Sequence, residues 1–83
     1  MSTTVRVPIA QSEYTLVTNK VALIQVNQAS IMEIGDAVAP DTIAANGFYM
    51  EKHEKFVNNS LTAYIWIRPI ESVPNPSVTL SEV

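Results

Sequence analysis

Apolar residues in this chain alternate with polar ones inside short runs rich in Val, Ile, Thr and Tyr, and almost none recur at the three-and-four spacing of a helix. The clearest run is Leu61 to Arg68. Leu61, Ala63, Ile65 and Ile67 share one face, while Thr62, Tyr64, Trp66 and Arg68 share the other, so this segment reads as a central strand that Pro69 ends. Lys20 to Val26 is apolar on both faces, with Val21 and Leu23 on one and Ala22, Ile24 and Val26 on the other, which predicts a strand well inside the molecule. Tyr14 to Val17 and Ser30 to Ile34 are further strands, the second stopped by Gly35-Asp36. Asn46-Gly47, two residues that tolerate positive φ, predicts a turn leading into Phe48-Tyr49-Met50.

Between these runs lie polar breaks. Ala37 to Ile43 reads as a loop with at most one helical turn, for which Asp41 would be the cap. Glu51 to Lys55 is a solvated stretch, either a short helix with Glu51 and Lys55 paired or a polar bend between two strands. Asn58-Asn59-Ser60 has the composition of a turn. Val5-Arg6-Val7 alternates and then meets Pro8, which donates no ladder hydrogen bond, so the first nine residues read as peripheral. From Glu71 the chain becomes a tail with Pro74 and Pro76. Its end, Val78-Thr79-Leu80, alternates in a way suited to adding a strand to a neighbour's sheet edge.

The prediction is an all-β fold, a small antiparallel β-sandwich or barrel of about six to seven short strands. Residues 1–83 form a single domain with a core at about 14–69, an N-terminal arm at 1–9 and a C-terminal tail at 71–83. Two cores cannot be built from 83 residues.

Composition narrows the function classes. There is no Cys and one His, so neither disulfides nor structural zinc is expected to brace the small core, and association is the remaining route. Charged residues make up 16%, against about 25% in ordinary domains, which fits a surface partly hidden in an assembly. A net charge of −3 without a basic cluster argues against nucleic acid as a partner. The absence of any run of roughly 18 apolar residues argues against a membrane span. Met1 to Arg6 lacks the apolar stretch of a secretion signal, so the mature protein is expected to begin near Met1.

Candidate chemistry is sparse. His53 sits among Glu51, Lys52, Glu54 and Lys55 with no nucleophile context, and reads as a solvated loop residue. Glu33, Asp36 and Asp41 lack the alternating series of a calcium loop. Two glycines cannot form a phosphate-cradling loop. Asn58-Asn59-Ser60 matches a glycosylation acceptor but serves equally as a turn, and Tyr64 and Trp66 read as packing residues rather than a sugar platform. The expectation is a non-enzyme with no catalytic residue, cofactor or metal.

The succession Ser30-Ile31-Met32-Glu33-Ile34-Gly35, Ala39-Pro40, Asn46-Gly47-Phe48, Phe56 and Ala63-Tyr64-Ile65-Trp66-Ile67-Arg68 resembles small virion proteins of tailed bacteriophages. Those are β-sandwich proteins that end in a strand like Ile-Trp-Ala-Arg after a glycine-aromatic hairpin. The likeness spans about residues 14 to 69, and Ile67 departs from it by standing where a small residue is frequent. It implies a structural role in the virion, assembled in the host cytoplasm: decorating or cementing the head shell by binding the major capsid protein or other virion proteins, as a homo-oligomer. Val5 and Val7 in the leading arm and Val78 and Leu80 in the tail are the expected contact residues. Two alternatives remain: a tail or fibre component that meets the host, with Tyr49 against a glycan, and a small accessory or inhibitor subunit of a cellular complex.

Overall fold

In a computed structural model that describes residues 3–40 and 47–82, the chain forms eight strands, and the described residues contain no helix. These are β1 (Thr3–Pro8), β2 (Thr15–Thr18), β3 (Ala22–Val26), β4 (Ser30–Gly35), β5 (Phe48–Met50), β6 (Lys55–Asn58), β7 (Tyr64–Pro69) and β8 (Ser77–Glu82). The antiparallel pairings are nested: β4 with β5, β3 with β6, β2 with β7, and β1 with β8. Further pairings of β3 with β8 and of β4 with β7 wrap this ribbon into two four-stranded sheets, ordered β1-β8-β3-β6 and β2-β7-β4-β5. Eight strands wound in this way are a jelly-roll sandwich.

The core forms where the inward faces meet. Ile24 and Val26 from β3, Ile65 and Ile67 from β7 and Val78 from β8 are wholly buried, and each such side chain contributes about 1.5–3 kcal/mol of burial free energy. Val7, Phe56 and Ala63 pack at its margin. Gln28 ties the sheets together at one end: its side chain accepts from Ser77 N (3.0 Å) in β8 and donates to Ser30 Oγ (2.9 Å) in β4, which leaves this buried amide well satisfied.

The architecture is the predicted all-β sandwich, with eight strands instead of six or seven. The added strand corrects the reading of the termini. Residues 77–82 are not a free tail but the strand between β1 and β3, and β1 pairs along its whole length with β8. The prolines that made the tail look detached sit in the turn before it, where Asn75 takes a positive φ of 52° and Pro76 O accepts from Ile9 N. β7 begins at Tyr64, later than the alternation suggested, and Leu61 is 82% exposed. Ser60 Oγ, which accepts from Thr62 N and Ala63 N, holds the chain in a turn there. β3 is central as expected, yet only the Ala22, Ile24 and Val26 face is buried, and Leu23 looks outward.

Gly47 has no positive φ, so left-handed backbone is not the reason for a glycine. A Cβ there would lie 2.7 Å from Ile31 Cγ1 and 2.8 Å from Met32 O, so the close approach to β4 requires its absence. Glu51 to Lys55 follows the polar-bend alternative: Glu54 N bonds Glu51 O, Glu51 N bonds the Glu54 carboxylate, and His53 takes a φ of 70° while its N–H donates to Val26 O. The helical turn capped by Asp41, and Asn46 of the Asn-Gly pair, lie outside the described residues.

Candidate functional site

Strand registers decide which side chains share an outward face. In the second sheet Ile65 and Ile67 point inward, so Tyr64, Trp66 and Arg68 point outward. Leu16 stands opposite Trp66, Glu33 opposite Trp66 from the other side, and Ile31 between Arg68 and Tyr49. Tyr14, one residue before β2, continues the row of Arg68, whose guanidinium carbon lies 5.4 Å from the Tyr14 ring centroid, within cation–π range. All three tyrosines and the single tryptophan of the chain therefore collect on one sheet face, together with Arg68, Glu33 and two aliphatic residues.

This face is built to different depths. Trp66 is only 8% exposed, because the segment after β4 folds over it and Asp36 O accepts from its indole N–H (2.9 Å). That segment is itself held by Asp36 Oδ1, which accepts from Val38 N. Tyr14 is also buried, whereas Leu16 and Tyr49 are exposed, Tyr49 to 59%. Between them three buried polar atoms, Tyr14 Oη, Glu33 Oε2 and Arg68 Nε, have no hydrogen-bond partner among the described residues. Burial pushes the Tyr14 hydroxyl above its ordinary pKa, the Glu33 carboxylate adds to the rise, and Arg68 opposes it. Tyr, Trp and Arg around a desolvated centre are the residue types enriched where proteins grip one another.

A second apolar feature adjoins this face at β5. Ile34 and Phe48 lie on the same side of their strands as buried Met32, the inward side, yet they are 43% and 60% exposed. With Met32, Met50 and Phe56 they line a groove of about 260 Å³ between β5 and β6, rimmed by Glu54 and Lys55. Small-molecule pockets run about 300–1,000 Å³ and carry several convergent polar groups, so this groove suits an inserted side chain better than a metabolite.

The four contact residues expected from the sequence come together in one place, but not as a docking surface. Val5 faces Leu80 and Val7 faces Val78 across the β1–β8 ladder, and Val78 and Leu80 are core residues of the molecule's own sandwich. Of the four, Val5 retains substantial exposure. His53 and its charged neighbours are exposed on the β5–β6 turn. Asn58 is buried, donates to Lys20 O (2.8 Å) and accepts from Ser60 N, so the glycosylation-like triplet is a structural turn. Glu33 and Asp36 lie on the aromatic side but do not converge, and Asp41 lies outside the described residues. Among the described residues no group of three or more His, Asp or Glu side chains is placed to hold a metal ion, and no helix is long and apolar enough to cross a membrane.

On sequence alone Tyr64 and Trp66 read as packing residues and Tyr49 as an exposed aromatic. The alternation of the first two with Ile65 and Ile67 put them on one face, but the partners of that face come from β2, β4 and β5, whose adjacency only the pairing reveals. No protein-family model, curated protein or solved structure matches the chain.

Proposed function

We propose that this chain is a non-catalytic structural protein of a tailed-phage particle, a decoration or cement protein that grips the capsid shell through the outward face of its second sheet. The observation that carries the contact surface is the gathering of every Tyr and Trp of the chain around Arg68 on that one face, with Leu16 and Tyr49 exposed at its borders. The resemblance of residues 14 to 69 to small virion proteins supplies the kind of particle, and the low share of charged residues accords with a surface destined for cover. The jelly roll is also used by lectin and cupin domains, so fold alone does not choose among them.

Purified protein added to particles stripped of it tests the reading. Leu16→Asp together with Tyr49→Asp places two charges at the border of the desolvated face and lowers occupancy at least about tenfold, equivalent to about 1.4 kcal/mol, with an unchanged circular dichroism spectrum. Full occupancy by the double variant would remove this face as the contact. Loss of glycan-dependent host adsorption, with shell occupancy intact, would instead favour the tail or fibre role suggested by exposed Tyr49.

A further inference from the structure

A cleft of about 470 Å³ opens where β1 meets the turn before β8, lined by Arg6, Pro8, Ile9, Asn75, Pro76 and Ser77. That volume lies within the roughly 300–1,000 Å³ of small-molecule sites. Val7 and Val78 face each other inward, so Arg6 and Pro8 on β1 and Ser77 on β8 point outward, and the cleft sits on the outer side of the first sheet. Its polar groups can all donate. The exposed Arg6 guanidinium and Asn75 side-chain amide have no hydrogen-bond partner among the described residues. Ser77 is buried, and its Oγ accepts from Asn27 Nδ2 (3.0 Å), which leaves the hydroxyl proton free to donate. No carboxylate lines the cleft: the one acidic residue on either strand, Glu82, stands opposite Thr3 at the far end of the ladder and on the inward side. The walls are also held in place. Pro74 and Pro76 restrict the backbone on either side of Asn75, which takes a positive φ of 52°, and Ile9 N donates to Pro76 O (3.0 Å), tying the turn to the end of β1.

We propose that this cleft binds a small monocarboxylic acid with an aliphatic body. The carboxylate lies against the Arg6 guanidinium and accepts from the Asn75 amide and the Ser77 hydroxyl, while the aliphatic body lies against Pro8, Ile9 and Pro76. Charge and wall chemistry select this class. One guanidinium matches the single charge of a carboxylate, which it grips through two parallel N–H···O bonds. A phosphate or sulfate would bring further charge with no second cation in the lining, and would set its hydration shell against the apolar wall. A donor set already held in position loses little freedom when the ligand arrives. The cleft is separate from the aromatic face of the second sheet, so both can be occupied at once.

Titration of the isotope-labelled full chain with hexanoate, followed by NMR, reads the proposal without any particle, so its outcome is separate from that of shell attachment. Saturable shifts are expected at the Arg6 Nε–H, the Asn75 side-chain amide and the Ser77 backbone N–H, with a dissociation constant of about 1 mM. Hexanamide keeps the shape without the charge, and acetate keeps the charge without the aliphatic body; each binds at least about tenfold more weakly. Arg6→Gln, at an exposed position, weakens hexanoate binding at least about tenfold with an unchanged circular dichroism spectrum. Should Arg6→Gln fail to fold, Asn75→Gly decides. Glycine keeps the left-handed turn and removes the amide, which weakens binding at least about threefold. Absence of saturable shifts at these three residues, equal affinity for hexanamide or acetate, or folded variants that bind hexanoate as the wild type does overturns the proposal. Displacement of hexanoate by an equal concentration of inorganic phosphate overturns the choice of a carboxylate.

Discussion

The two sheets present opposite kinds of outward face, although they share one core and the same number of strands. Across the first sheet Thr4, Ser81, Leu23 and Val57 form one row, and Arg6, Thr79, Gln25 and Lys55 the next: small hydroxyls and amides, two cations and one aliphatic pair. Thr4 and Ser81 bond each other across strands, and Thr79 reaches Asn27, so the polar groups in the middle are satisfied within the molecule. Across the second sheet the rows read Tyr14, Arg68, Ile31, Tyr49 and then Leu16, Trp66, Glu33, with three buried polar atoms unbonded among the described residues. A sandwich needs only its inward faces to fold. Part of that outward face braces the fold through Trp66, and the exposed remainder, Leu16 and Tyr49, is the part on which the proposed contact rests.

The largest expected effect separates the buried from the exposed part of that face. Trp66→Ala removes the ring that anchors Asp36 and the segment over it, and costs about 3–5 kcal/mol in denaturant unfolding. A domain of this size has on the order of 4–12 kcal/mol in all, so the midpoint drops steeply. A cost below about 1 kcal/mol would mean the indole is only laid against the sheet and does not brace it.

A smaller effect is expected at Tyr14. Its buried hydroxyl makes no well-formed hydrogen bond among the described residues, though it lies beside Glu33 and Arg68, so Tyr14→Phe changes stability by no more than about 1 kcal/mol. The pH dependence gives a second readout. Because the folded hydroxyl titrates above the ordinary value of 10.0, the unfolded chain ionises first, and stability falls as pH rises past that value. Tyr14→Phe removes this decline; a decline of equal slope in the variant would place its origin elsewhere.

Much of the first-order fold was legible because the period-two signal is local. The inward pair Ile65 and Ile67 follows from alternation alone, whereas an apolar residue on either face of 20–26 left the inward side of β3 open, and composition at Glu51 to Lys55 suited a short helix and a polar bend equally. The termini were not legible, for a reason of range. β8 pairs with β1 across nearly the whole chain, and no local pattern distinguishes a strand that returns home from one that joins a neighbour. Val78 and Leu80 alternate equally well for either use. Leu61 misled because its alternation is in phase with Ile65 while the Ser60 hydroxyl bonds hold the backbone in a turn. The aromatic face lay half in view: β7 shows Tyr64, Trp66 and Arg68 together, but that Tyr14, Leu16 and Tyr49 join them depends on the nested strand order.

Hydroxyl-radical footprinting of free and particle-bound protein tests the central claim most directly, since both sheets carry exposed reporters. Tyr49 and Leu16 on the second sheet are expected to be protected on binding, while Leu23 and Val57 on the first stay as reactive as in the free chain. Protection of Leu23 and Val57 with Tyr49 and Leu16 unchanged would contradict the assignment of the aromatic sheet face as the surface of contact.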